Sequence, residues 1–538
     1  MNNFFLISNI VSHLNNDRDI ISLLSSEKCL YSNFRGKIRY KSFPTHRFLQ
    51  QIVKNDNSIV LPPRFKMIMI ATEYLFNIIN KHLERFNILH VRLSFYFKSP
   101  IVVGDLSSFN FMKSLRLFIS HPIDVGLLPE SLLYLDLRYY GYEALNENVL
   151  PKYLETLEIG YVEKYIQSHL IYPESLTSLS FVNQFNHESL LVTDNSGLEW
   201  TSILPRNLTT LNLGNRFEDD LLCNFLPPQL KHLTFGDKFN SQLKFLPNSL
   251  VSLSFGRLFN QEIYQDQLPK TLENLIFGSV FDKDIKIGVL PKNLKILKLG
   301  YHWNKDIEVG VLPESLTKLK LSYSFNKKLK IGSIPAQLKS LRFGRIYDFP
   351  ITEEILPNSL KKLILPMNYN TRLSICLPLF IENLRLPRTF SLKQIEHKLP
   401  PTCKYLTFGN EFNQVIERGF FPNRLESLTF GDFFNRDILP MIFGDSLKHL
   451  QFGRTFNSQL FPGSLPKSLE ILKFGDQFNQ PLLEDVLPPN LQRLEFGKFF
   501  NQSPENLKLP NTLRYLKIKM NVISNHADKN KIIHIENF

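Results

Sequence analysis

Residues 312–330 read LPESLTKLKLSYSFNKKLK. Leu312-Pro313 opens this stretch, Leu316, Leu319 and Leu321 follow at Leu-x-x-Leu-x-Leu spacing, and Phe325-Asn326 and Leu329 close it. The last two leucines of the triplet are two residues apart, a spacing that puts both side chains on one face of a short strand. A single strand this short cannot bury that face alone. Copies of the unit stacked side by side can.

Such copies run through most of the chain. A dipeptide of Leu-Pro type recurs eighteen times between Leu128 and Leu509; of the 17 gaps, 14 are 22 residues and the others are 32, 20 and 21. A phase kept over so long a stretch is the signature of a solenoid. The sequence therefore predicts a leucine-rich-repeat-like solenoid over residues 128–520. Its core would be a parallel β-strand ladder with one short strand per 22-residue coil, strands lying about 4.8 Å apart. In many coils the first run ends in Phe-Gly, as at Phe235-Gly236, Phe430-Gly431 and Phe474-Gly475, and Phe-Asn follows, as at Phe239-Asn240, Phe434-Asn435 and Phe478-Asn479. This usage accounts for the 46 phenylalanines.

Each position has a physical role in a stacked coil. The proline has no N–H to give to a ladder, which suits the loop before a strand. The glycine suits a turn that needs positive φ or a close approach of backbone. The phenylalanine of Phe-Asn fills the coil interior. The asparagine can stack on its neighbours and hydrogen-bond turn backbone that would otherwise be buried unpaired.

The full pattern, Leu-Pro-x-x-Leu-x-x-Leu-x-Phe-Gly-x-x-Phe-Asn-x-x-Leu/Ile, resembles the FNIP repeat, a relative of the leucine-rich repeat abundant in social amoebae and in giant DNA viruses that infect them. The resemblance covers Leu128 to about Met520. The first three units depart from it, lacking Phe-Asn except at Phe185-Asn186, and Phe390-Ser391 and Phe443-Gly444 are degenerate. The resemblance implies a protein-binding array without catalysis, in a host cytoplasm if the source is viral.

Residues 1 to about 90 lack the repeat. Leu6, Ile7, Ile10, Val11 and Leu14 have helical spacing, and Asn16 or Asp17 can cap a second helix carrying Ile20, Ile21, Leu23 and Leu24. A third helical stretch is expected from about Arg64 to Phe86. The run Phe5-Leu6-x-x-Asn9-Ile10-Val11-x-x-Leu14, then Asp19-Ile20-Ile21-Ser22-Leu23, resembles an F-box, with Phe5-Leu6 where F-boxes commonly open in Leu-Pro and Tyr31 or Phe34 where they carry a tryptophan. That resemblance implies that Leu6, Ile10, Leu14, Ile20 and Leu23 pack on the F-box-binding adaptor subunit of a cullin ubiquitin ligase. The alternative is that these helices only cap the open end of the array. The expected organisation is thus a helical docking segment at 1–45, a linker, cap and degenerate first coils at 46–127, the solenoid at 128–520 and a cap or tail at 521–538.

Other chemistry is sparse. The four cysteines, Cys29, Cys223, Cys376 and Cys403, are far apart and form no Cys-x-x-Cys pair, which argues against both a zinc site and a disulfide framework. The apolar run Phe4–Ile7 has no basic region before it and no small-residue cleavage site after it, so no secretory signal is read there. The apolar stretch Phe65–Ile79 holds Lys66 and Glu73 and is too short to span a bilayer. An intracellular, cytoplasmic location follows as the expectation, with no membrane partner. No phosphate-binding, zincin or nucleophile-elbow motif occurs, so neither enzyme nor cofactor is expected. His232 and His449 occupy equivalent strand positions many coils apart and cannot share a metal.

The net charge of +13 leaves the partner open until the charges are placed. Residues flanking the core leucines should face solvent. Over five coils these are largely basic, namely Lys298, Lys318, Lys320, Arg342, Lys362 and Arg385, with Lys295, Lys339 and Lys361 close by. Like charges on adjacent strands repel, which makes the stripe a candidate site for an acidic protein segment. Because long lysines splay into water, the stripe can equally be an ordinary solvated face. A nucleic-acid binder would carry a longer basic track with interleaved aromatics, so a protein target ranks above nucleic acid. The 32-residue gap holds an excess near Leu191–Trp200, either a binding loop or a tolerated one.

Overall fold

A computed structural model describes residues 67–70, 90–97, 106, 112–140, 145, 147–161, 170–183, 191–193, 200–202, 204–369, 375–395, 399–502, 507–519 and 532–536. The chain forms two compact units, Met1–Gln261 and Glu262–Phe538. Each is a parallel β-ladder.

The repeat phase and the strands coincide. Each of the eighteen opening residues stands six positions before the first residue of a strand, from Leu128 and Tyr134–Tyr139 to Leu509 and Tyr515–Lys519. The shorter coils keep the register, so that Leu233 pairs with Leu253 and Leu363 with Leu384. In the first unit the four strands from Ser114–Ile119 to Ser178–Asn183 are six residues long because an alternating apolar pattern continues, as in Leu157, Ile159 and Tyr161. In later coils the three-residue strand ends where the chain turns after Phe-Gly, as at His232–Thr234 and Ile471–Lys473.

The core is made by columns of identical residues. The strand leucine of each of the eighteen repeat coils is buried, Leu211, Leu253, Leu341 and Leu472 among them. The two phenylalanines of a coil stack on each other, Phe430 on Phe434 at 4.0 Å, and each also stacks on its counterpart one coil on, Phe430 on Phe452 at 5.6 Å and Phe434 on Phe456 at 6.1 Å. Offset stacking at such distances adds about 0.5–1.5 kcal/mol per pair to area burial. Where the motif drifts the column is kept: Trp303 stacks on Phe325 at 5.8 Å and Phe325 on Tyr347 at 5.9 Å.

Backbone polar groups are satisfied from coil to coil. The proline carbonyl accepts the amide three residues on, as from Leu316 to Pro313 at 3.0 Å. Ser315 Oγ donates to the Leu294 carbonyl at 2.8 Å, and Ser468 Oγ does the same to Leu447. Asparagine Oδ1 of one coil accepts the amide of the next, from Asn435 to Asn413, from Asn479 to Asn457 and from Asn501 to Asn479.

The Phe-Gly glycine is required by close approach. A Cβ on Gly431 would overlap the Gly409 carbonyl, and one on Gly236 the Gly214 carbonyl. Apart from Gly214 (φ 76) and Phe245 (φ 56), positive φ belongs to a different column, two residues before the opening dipeptide, at Gly310 (φ 85), Gly332 (φ 79), Asn224 (φ 62), Asp266 (φ 63) and Met441 (φ 60) among others.

One segment differs from the sequence expectation, and two others take a form that it left open. Within the stretch expected to be helical at 64–86, Met67–Ile70 is a strand pairing in parallel with His90–Leu93. An unbroken apolar run does not distinguish the two states by periodicity, and a neighbouring strand decides it. The excess at 191–200 is an antiparallel pair, Leu191–Thr193 against Trp200–Ser202, outside the main ladder. In the tail, Ile532–Glu536 pairs with Tyr515–Lys519. The first two expected helices, with Leu6, Ile10, Leu14, Ile20 and Leu23, lie outside the described residues.

Candidate partner-binding face

Lys298, Lys318, Lys320, Arg342, Lys362 and Arg385 are all exposed strand residues of the second unit. The register sorts them into two rows, one on each side of the buried leucine column. Lys298 pairs with Lys320 and Lys320 with Arg342, so these three cations stand directly side by side on consecutive strands. Arg385 shares that row but is set apart by Ile364. Lys318 and Lys362 lie in the other row, each in register with Ser340 between them. The six thus form a tight trio with three outliers.

None of the six makes an ion pair among the described residues. The column just before the strands behaves in the opposite way. There the signs alternate over most coils, with Thr317, Lys339 and Lys361 the exception, and Lys295 pairs with Glu273 at 2.6 Å, Lys361 with Glu382 at 2.9 Å, Lys404 with Glu426 at 3.3 Å and Lys448 with Glu470 at 3.2 Å. Lys295 and Lys361 are therefore neutralised within the ladder, while Lys339, also exposed, faces no carboxylate of its own column because Thr317 and Lys361 flank it. Stacked coils can alternate charge at no structural cost, and the Lys298–Lys320–Arg342 row does not.

The crowding is visible in the central residue. Partial burial, then Arg342 and Lys298, push the Lys320 ammonium below the usual lysine range.

Beside the row stands an aromatic column. Tyr301 and Tyr323, each three residues beyond a row lysine, stack at 4.2 Å and 14°. Arg345 lies over Tyr323 with its guanidinium 5.5 Å from the ring centre and donates from Nη1 to the Tyr323 hydroxyl at 2.6 Å. The sequence pattern did not single out these three residues, because their column lies just past the strand, where a repeat reading expects a variable turn.

A charged cluster in the first unit has a different character. Asp136 is fully buried between Arg116 and Arg138, Arg138 reaches Glu158 at 3.3 Å, and the Tyr134 hydroxyl donates to Glu158 at 2.9 Å. Its charges are mutually satisfied, so it holds coils together. His232 and His449 are exposed on separate units. Among the described residues no three His, Cys, Asp or Glu side chains gather as metal ligands, and no helix is long and apolar enough to cross a membrane.

The columns of leucine, paired phenylalanine and laddered asparagine match the FNIP Repeat family model at residues 201–238, 222–258, 259–302, 303–346, 390–433, 434–477 and 478–519. The chain belongs to the FNIP repeat family. The stretch around Tyr369 and the early long strands fall outside those FNIP matches, as their departures from the motif imply. A solved structure, CroV588, described as a novel circular LRR protein, is 30% identical with a TM-score of 0.57, over 89% of this chain and 83% of that one. YopM from Yersinia enterocolitica is 20% identical over 97% of this chain and 96% of its own, with a TM-score of 0.38. No curated protein sequence matches this FNIP chain.

Proposed function

We propose that this FNIP repeat chain is a non-catalytic protein-binding scaffold, and that Lys298, Lys320 and Arg342, flanked by Lys318, Lys362 and Arg385, hold an acidic segment of a target protein. The observation that carries the reading is the contrast between two neighbouring columns. One cancels its charge through Lys–Glu pairs, while the other aligns three cations with no carboxylate. An acidic partner would relieve the repulsion along the row. The test is binding of a fluorescent polyglutamate peptide to the full chain. Salt-sensitive binding lost in a Lys298→Glu, Lys320→Glu, Arg342→Glu variant with an unchanged β-sheet spectrum supports the site; equal binding by that variant removes it.

Within this proposal residues 1–45 dock on the F-box-binding adaptor of a cullin ubiquitin ligase, making the chain a cytoplasmic substrate receptor. Support comes from the helical spacing of Leu6, Ile10, Leu14, Ile20 and Leu23 and from the F-box resemblance of that run. Catalysis then belongs to partner subunits, and the chain contributes proximity. Saturable binding of the full chain to the purified adaptor, abolished by Ile10→Asp with Leu14→Asp, supports docking. A folded chain that does not bind the adaptor leaves a free-standing scaffold or decoy.

A further inference from the structure

The turn column beside the basic row reads Ser279, Tyr301, Tyr323, Arg345 over four consecutive coils. Tyr323 lies between Tyr301, stacked at 4.2 Å, and Arg345, whose guanidinium caps its ring. At the other end Ser279 is too short to cover a ring, and Tyr301 remains 44% exposed. His302 meets it in a T-shaped contact at 4.9 Å and 69°, which helps to fix the ring. The column is therefore a stack that stops one layer short. A stack of two tyrosines braced by an arginine and a histidine is preorganised, so a further layer meets little ordering cost.

The open layer sits beside the first cation of the row. Three residues separate Lys298 from Tyr301, a reach of at most about 10 Å. Along the ladder, Lys298 to Arg342 spans two strand steps, also about 10 Å, or about three residues of extended peptide. We propose that the exposed face of Tyr301 and the Lys298–Lys320–Arg342 row form one composite site for an acidic protein segment that carries an aromatic residue about three positions from the near end of its acidic run. The proposal rests on the protein-binding reading of the row and adds an aromatic anchor and a direction. The aromatic residue packs at the Tyr301 end, and the carboxylates extend toward Arg342.

A protein segment fits better than single-stranded nucleic acid. Single-strand binders stack successive bases on successive aromatics along a continuous cationic track. Here one face is open, and the row is bounded by Ile276 on one side and by Ile364 on the other.

The experiment measures binding to the full chain of three probes at low salt: a peptide of tryptophan, serine, glycine and four glutamates, the same peptide with alanine for tryptophan, and an oligothymidylate. The tryptophan peptide should bind about tenfold more tightly than the alanine peptide, the upper range of one aromatic stack. Tyr301→Ser, which repeats the residue already present at Ser279, should erase that difference and leave the alanine peptide unchanged. Tyr301→Phe should keep it. An advantage that is absent, or that survives Tyr301→Ser, overturns the composite site while the row stands. If neither peptide binds, the acidic-partner reading of the row fails with it. Oligothymidylate binding more tightly than either peptide makes the face a nucleic-acid site.

Discussion

The amide of Asn457 donates to Oδ1 of Asn435, one coil earlier, at 2.8 Å, and Asn457 Oδ1 in turn accepts from the Asn479 amide at the same distance. Each asparagine therefore satisfies a turn amide that no strand partner reaches. Leucine at Asn435 fills a similar volume and removes the acceptor of the Asn457 amide; because that bond is exposed, the loss is that of an ordinary hydrogen bond, roughly 0.5–1.5 kcal/mol. Aspartate keeps the acceptor, and the fold already uses it, since Asp282 Oδ1 accepts the Asn304 amide at 3.1 Å. Hydrogen exchange at the Asn457 amide separates the cases. Asn435→Leu should accelerate it strongly, and Asn435→Asp should leave it protected.

The two glycine columns predict opposite responses. Gly431→Ala drives a methyl group into the Gly409 carbonyl and forces neighbouring coils apart, at a cost of roughly 1–3 kcal/mol or more. Gly419 has φ 81 and nothing within 4 Å of a Cβ, so Gly419→Ala costs only the left-handed backbone, about 1 kcal/mol. Met441 occupies that same left-handed column at φ 60, so Met441→Gly should raise stability by up to about 1 kcal/mol. Denaturation midpoints of the three variants check the order. A destabilising Met441→Gly would refute the strain argument.

These columns also show what was legible in the sequence. Leu316 and Phe325 announce themselves because a 22-residue period repeats an apolar requirement, and the same period located the ladder strand of each of the eighteen coils from Tyr134–Tyr139 to Tyr515–Lys519. The basic row was visible because period-two alternation places Lys298 and Lys320 outside. Their sorting into a trio and outliers was not, since it depends on register across coils. Tyr301 and Tyr323 escaped notice because stacking across coils leaves no mark within one repeat. The left-handed column was hidden too. Glycine, asparagine, aspartate and methionine all occupy it, and no single residue type flags a backbone angle. Met67–Ile70 misled because an apolar run without polar interruption reads as either element.

Cysteine reactivity follows from burial. Cys223 is exposed and Cys403 is buried, its thiol pushed up to about 12 by burial. A thiol that stays protonated is a poor nucleophile. Iodoacetamide at neutral pH should alkylate Cys223 in the folded chain and reach Cys403 only after denaturation, as peptide mapping by mass spectrometry would show. Modification of both at equal rates in the native chain would contradict the packing of that coil.

Alkaline pH should loosen the array. Burial raises Tyr347 to about 12, burial and the Glu158 hydrogen bond raise Tyr134 to about 12, and Cys403 reaches a similar value. In each case the folded state keeps a proton that the unfolded state has released, so the folded state binds more protons and stability falls as pH rises. The window opens near the ordinary thiol and phenol values of 9.0 and 10.0 and runs to about 12. Lys320 works against this trend. Its lowered value means that the unfolded state holds the extra proton below the usual lysine range, and stability gained there rises with pH. Three groups outweigh one, and a falling denaturation midpoint above pH 9 is the expected result. Tyr347→Phe keeps the ring in the stack, as Phe325 does one coil earlier, and removes one ionisation. That variant should show a shallower alkaline slope, whereas Lys320→Met, which removes the opposing group, should show a steeper one.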